Sequence, residues 1–114
     1  MEKITRKSGI LMHITSLPND YGWGCFSVSA TNFIDFLKAG GFGVWQVLPF
    51  SECLYENSPY SAVSSFAINP YFLDLTEFLS SDEIFKLGIQ KNSSLFDYKL
   101  KFDNALEVIC EKYR

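Results

Sequence analysis

The apolar positions in the first half of the chain fall into three short groups separated by glycine and proline. Gly9-Ile10-Leu11-Met12 is a continuous apolar run of the kind a parallel sheet buries on both faces. The following stretch, Leu17-Pro18-Asn19-Asp20-Tyr21-Gly22-Trp23-Gly24, is punctuated by proline and two glycines and predicts a loop. Ser27 or Ser29 then offers an N-cap. Ala30, Phe33, Ile34 and Leu37 recur at the i, i+3, i+4, i+7 spacing of one helix face, and Gly40-Gly41 supplies the stop. Val44-Trp45-Gln46-Val47-Leu48 predicts a second strand, ended by Pro49. Strand, crossover helix and strand in this order fit a right-handed βαβ unit.

Residues 50–75 are aromatic, carry Pro59 and Pro70, and show no period. Beyond them Ser80 or Ser81 caps a short helix that holds Asp82, Glu83, Ile84, Phe85 and Leu87 and stops at Gly88. A longer helix is expected over 95–113. Its apolar stripe, Leu95, Tyr98, Phe102, Leu106, Ile109 and Tyr113, is narrow on an otherwise charged surface and needs a partner. Two parallel strands leave strand edges and a sheet face open, and nothing downstream reads as a third or fourth strand. The expectation is an α/β chain that opens a larger fold.

Charge supports a division into two parts. Residues 1–75 carry 10 charged side chains, whereas the shorter stretch 76–114 carries 13, so the composition shifts near Thr76. The aromatic share of 17% is too high for a disordered chain. A net charge of −3 leaves no basic excess for nucleic acid or an anionic membrane surface. No apolar run approaches the roughly 18 residues of a spanning helix, and Gly9-Ile10-Leu11-Met12 falls short of the roughly 7–15 of a secretory signal. A cytoplasmic protein is expected. Cys25, Cys53 and Cys110 are widely spaced beside a single histidine, His13, which suits free thiols and no metal site.

From residue 6 to 75 the chain resembles the N-terminal part of the 4-α-glucanotransferases, the amylomaltase or disproportionating enzymes of glycoside hydrolase family 77. The resemblance is carried by Ser8-Gly9-Ile10-Leu11-Met12-His13-Ile14-Thr15-Ser16-Leu17-Pro18 and Tyr21-Gly22-Trp23-Gly24. It continues through Phe33-Ile34-Asp35-Phe36-Leu37, Trp45-Gln46-Val47-Leu48-Pro49 and Asn57-Ser58-Pro59-Tyr60-Ser61, then Ser64-Ser65-Phe66-Ala67 and Asn69-Pro70. Order and spacing both hold across these blocks. The later Phe96-Asp97-Tyr98-Lys99 and the helix after it match more loosely.

The resemblance implies a TIM (β/α)8 barrel with inserted subdomains. Such a barrel takes about 250 residues, so this chain is expected to be an N-terminal fragment holding only the opening β/α units. Residues 1–75 would be those units with an active-site loop, and 76–114 the truncated start of a helical inserted subdomain. The implied activity is transfer of α-1,4-glucan segments between malto-oligosaccharides by a retaining mechanism. That chemistry needs a carboxylate nucleophile and an acid–base carboxyl about 5–5.5 Å apart. The family's pair comes from strands later in the barrel, to which no position here corresponds. The chain alone is therefore expected to be inactive, with no catalytic residue and no cofactor. Asp20, Asp35, Glu52 and Glu56 read as solvated surface charge; spacing alone leaves open a Glu52/Glu56 pair.

What the chain does carry is sugar-binding equipment. By resemblance Tyr60 is the aromatic platform beside the sugar being cleaved, Ser58 contacts a neighbouring glucosyl unit, and Tyr55 corresponds to a secondary glucan contact. Read without the resemblance, Tyr60 is a half-buried packing aromatic. His13 either lines the barrel mouth or, the favoured reading, is a satisfied structural histidine that holds the next loop. Trp45 is expected in the core with Gln46 hydrogen-bonding in the barrel, and Phe33, Phe36, Phe42, Phe66 and Phe72 are read as core. Two departures fall in loops. Cys25-Phe26-Ser27 replaces the family's usual Asp and small or apolar residue before Gly, and Ser51-Glu52-Cys53-Leu54 replaces its usual Gly-Pro and glycine-rich turn. Two further readings stay open: a non-catalytic α-glucan-binding module and a non-functional remnant. Open strand edges also make self-association an expectation.

Overall fold

The computed structural model describes residues 5–52, 58, 60, 64 and 66–114. The chain forms strand β1 (Gly9–Leu11), helix α1 (Val28–Ala39), strand β2 (Val44–Gln46), helix α2 (Ser81–Lys86) and helix α3 (Leu95–Lys112). Among the described residues three single-turn 3-10 helices, Ile14–Ser16, Pro70–Phe72 and Leu75–Glu77, lie between them. The strands pair in parallel, with Gly9 opposite Val44, Ile10 opposite Trp45 and Leu11 opposite Gln46, and α1 crosses from one to the other. A Cβ at Gly9 would come within 2.7 Å of the Val44 carbonyl oxygen, so only glycine fits this close pairing.

Local chemistry accounts for the helix boundaries. The Ser27 hydroxyl accepts the Ser29 N–H at 3.2 Å and caps α1, while Gly41, at φ +79°, takes the left-handed turn beyond its end. Ser80 and Glu83 form a reciprocal capping box on α2, and Gly88 at φ +74° follows it. Ser94 caps α3 by accepting the Asp97 N–H.

β2 is shorter than its apolar run. The Met12 N–H donates to the Gln46 carbonyl at 3.0 Å as the last rung, after which the chain turns into the Ile14–Ser16 helix. Val47 and Leu48 therefore have no strand from β1 beside them. The sheet is also not buried on both faces: Leu11 is 61% exposed and Val44 44%. Ile10 and Trp45 point the other way, toward α1, where the Trp45 ring meets Phe33 edge-on at 4.9 Å. That face of α1 buries Leu37 and half-buries Ala30 and Phe33, but Ile34 and Phe36 stay exposed. A single pair of strands is too narrow to cover the whole apolar arc of the helix. Phe66 departs from the expected core as well, at 98% exposed, whereas Phe72 is buried.

Two apolar clusters result among the described residues. The first gathers Ile14, Leu17 and Phe72 against Met12, Phe33, Trp45 and Phe50 at one end of the sheet. The second gathers Leu75, Leu79, Ile84, Ile89, Tyr98, Phe102 and Ala105, so α3 docks through Tyr98, Phe102 and Ala105. Leu106 and Ile109 are half-buried at its margin, while Tyr113, expected on the stripe, is 62% exposed. Trp23 borders both clusters and donates its indole N–H to the Tyr71 carbonyl at 3.1 Å. The core thus runs across the compositional boundary near Thr76. Among the described residues no helix is long and apolar enough to cross a membrane.

Candidate functional site

The residues that flank the predicted sugar contacts pair with each other a few positions beyond β2. Ser51 and Ile68 form an antiparallel bridge, and the Asn69 N–H donates to the Phe50 carbonyl at 2.7 Å. Between these anchors Tyr60 is 74% exposed and donates its backbone N–H to the Ser58 hydroxyl oxygen at 3.4 Å. The Ser64 hydroxyl oxygen accepts the N–H groups of Phe66 and Ala67 in the same way. Tyr60 is therefore not the half-buried packing residue that its neighbours alone suggested. Tyr55 lies outside the described residues, as do Cys53 and Glu56, and with Glu56 the geometry of any Glu52/Glu56 pair.

An aromatic platform supports these anchors. Phe26, Phe50 and Phe72 contact one another with ring centroids 5.2–6.2 Å apart, the edge-on range for aromatic pairs. His13, at the end of β1, stacks on Phe50 at 6.0 Å and meets Phe72 edge-on at 5.6 Å. Its Nδ1 has no hydrogen-bond partner among the described residues, and its ring packs against both phenylalanines. Burial lowers its pKa below the ordinary 6.5, which favours the neutral imidazole. The Trp45 indole N–H donates to the Met12 carbonyl at 2.8 Å and ties β2 to the residue before His13. The Gln46 side chain stays at the exposed sheet surface.

Among the described residues the carboxylates read from the sequence lie apart. Asp35 lies exposed on α1, and Asp20 pairs with Lys91 at 3.1 Å in an ion pair open to solvent on both sides. Glu52 is exposed near the loop's departure. No group of three or more His, Cys, Asp or Glu among the described residues is placed to hold a metal ion. Cys25 is a buried free thiol whose sulfur accepts from Asn19 Nδ2 at 3.0 Å; burial, with Asp74 nearby, pushes it up to about 11.

Three contacts had no signal in the pattern of residues. Tyr71 donates its hydroxyl to Asp103 Oδ1 at 3.1 Å, and Lys99 Nζ lies over the rings of Trp23 and Tyr71 at 4.8 and 5.0 Å. Burial and the Asp103 carboxylate push the Tyr71 phenol up to about 12, so it remains a donor.

The sequence and the fold are similar to those of one enzyme family. The 4-alpha-glucanotransferase family, glycoside hydrolase 77, matches residues 12–113. A 4-alpha-glucanotransferase of Clostridium butyricum is 39% identical over 107 residues, covering 90% of this chain and 22% of its own length. One from Aquifex aeolicus is 44% identical over 103 residues, covering 82% of this chain and 21% of its own. Among solved structures, an amylomaltase from Streptococcus agalactiae in complex with acarbose superposes with a TM-score of 0.64 at 41% identity. That superposition covers 68% of this chain and 17% of the neighbour. The chain belongs to the 4-alpha-glucanotransferase family. It spans about a fifth of the length of these relatives.

Proposed function

We propose that this chain contributes the opening β/α units and a glucan-contact loop to a 4-alpha-glucanotransferase. The parent enzyme moves α-1,4-glucan segments between malto-oligosaccharides with retention of configuration. The observation that carries this reading is the family match across residues 12–113, which runs through the exposed Tyr60 loop. The complex of the Streptococcus agalactiae amylomaltase with acarbose supports an oligosaccharide ligand. In this reading 1–75 is the start of a (β/α)8 barrel and 76–114 the start of a helical inserted subdomain. The uncovered face with Leu11 and Val44 is where further strands and side chains pack. A cytoplasmic setting belongs to the same proposal and accords with the free thiols of Cys25 and Cys110.

The chemistry follows from the side chains present. The Tyr60 ring offers an open face on which the C–H face of a glucosyl unit stacks. The Ser58 oxygen already accepts the Tyr60 N–H, which leaves its own O–H to donate to a sugar oxygen. Tyr55 supplies a secondary glucan contact. The nucleophile and the acid–base carboxyl, about 5–5.5 Å apart in a retaining enzyme, come from outside this chain. Its own residues bind and orient glucan, and no step needs a metal or an organic cofactor.

A chimaera provides the test. Residues 12–113 replace the matching segment of the Clostridium butyricum relative, and glucose release from maltotriose is followed. Transfer activity is expected, and Tyr60→Ala should lower kcat/KM by about tenfold or more, the equivalent of about 1.4 kcal/mol of lost stacking. A folded chimaera without transfer, or one indifferent to Tyr60→Ala, overturns the proposal. Binding of maltodextrin by the 114-residue chain beside an inactive chimaera would make it a glucan-binding module instead.

A further inference from the structure

Ser58 and Tyr60 reach solvent from a segment whose two sides meet at the antiparallel Ser51–Ile68 bridge, closed by the 2.7 Å bond from the Asn69 N–H to the Phe50 carbonyl. What holds the return side in place lies just beyond it. Asn69 is 3% exposed, and its side-chain oxygen accepts the Tyr71 N–H at 3.0 Å, so Asn69 and the Pro70–Phe72 turn move as one unit.

That unit is gripped from two sides. Phe72 is buried against Phe50, Phe26 and His13 at the end of the sheet. Tyr71 faces the other way, into the helical part. Its ring meets Phe102 of α3 at 5.0 Å, Lys99 of α3 lies over it, and its hydroxyl donates to Asp103 of α3. Asp103 and Lys99 are four residues apart, so they lie on neighbouring turns of one helix face and hold the ring between them.

We propose that Tyr71 is a positioning residue through which α3 fixes where the Ser58 and Tyr60 segment rejoins the fold. Neither Tyr71 nor α3 touches glucan in this scheme. They set the placement of Asn69, and through Asn69 the base of the glucan-contact loop. The consequence is that substitutions in the helical segment, remote from the sugar, alter glucan affinity while leaving the chemical step alone. The link to glucan rests on the function proposed above; the mechanical coupling does not.

Hydrogen exchange in the 114-residue chain tests the coupling without any sugar. Tyr71→Phe keeps the ring and loses the bond to Asp103. The Asn69 amide should then exchange about fivefold to tenfold faster, while amides of the α1 core keep their rates. Asp103→Asn preserves an acceptor and should retain protection, whereas Asp103→Leu should match Tyr71→Phe. Unchanged Asn69 exchange in Tyr71→Phe overturns the inference, and so does an equal acceleration in α1, which would mean general destabilisation. In the chimaera, Tyr71→Phe should raise KM for maltotriose severalfold with kcat nearly unchanged. A fall in kcat alone counts against the positioning role. An inactive unsubstituted chimaera refutes the proposed function but leaves the exchange result to decide the coupling.

Discussion

Gly22 lies flat against the ring of Tyr98. A Cβ at Gly22 would overlap the Cβ, Cγ and Cδ1 atoms of that tyrosine, and the glycine sits at φ +72°. Two demands therefore meet at one residue, a left-handed backbone and the absence of a side chain. The contact lets the loop after β1 approach the first turn of α3, next to Trp23, which borders both apolar clusters.

Gly22→Ala should accordingly be costly. The left-handed conformation alone costs an alanine about 1–2 kcal/mol, and displacement of Tyr98 adds a similar amount. A loss of about 2–4 kcal/mol is expected in urea denaturation. A loss below about 0.5 kcal/mol would show that α3 does not depend on this contact.

Phenylalanines of equal hydrophobicity should differ widely in effect. Phe102 is fully buried in the helical cluster, and Phe102→Ala should cost about 3–5 kcal/mol. Phe66 is 98% exposed, so Phe66→Ala should stay within about 0.5 kcal/mol. Matched denaturation midpoints for the two variants would contradict the placement of α3.

Acid should weaken the platform beneath the loop. His13 has a folded pKa below its ordinary 6.5, because burial among Phe50 and Phe72 favours the neutral ring. Its contribution is complete above 6.5 and is lost as pH falls through the lower folded value. His13→Phe keeps the stacking and should flatten this acid limb in a stability profile. Cys25 behaves oppositely: raised from 9.0 to about 11, it contributes fully below pH 9 and loses that contribution as pH climbs through this window. Iodoacetamide should accordingly modify the exposed Cys110 long before Cys25, as read by peptide mass mapping.

The open sheet should make the isolated chain associate with itself. Leu11 and Val44 are exposed on one face, and both strands leave an edge unpaired among the described residues. Sedimentation velocity should show mass rising with concentration above the 13.0 kDa of the chain. Leu11→Lys should shift the distribution toward monomer. A monomer at every concentration, with and without the substitution, would mean that this surface does not drive association.

Much of this molecule is written locally. The caps at Ser27 and Ser80, the left-handed glycines 41 and 88, and the i, i+3, i+4 spacing on α1 and α3 each act within a few residues, so the helices were legible along the chain, although the Ser94 cap of α3 was not read there. The parallel pair was legible because a crossover helix of this length between two apolar runs returns the chain in the same direction, and the ordered blocks through Tyr60 carried the family. What the sequence left open depends on partners far along the chain. The rung between Met12 and Gln46 is the last because β1 turns away there, which no pattern within Val44-Trp45-Gln46-Val47-Leu48 contains. Ile34 and Phe36 read as buried positions, yet their exposure depends on how much sheet faces α1. Only the tertiary structure decided that Tyr71 meets Asp103 and Lys99, because those contacts join segments separated by about thirty positions and form only once both clusters pack on Trp23. Local rules specify elements; packing between distant segments, as of Tyr71 on Phe102 and Asp103 of α3, decides how they are joined.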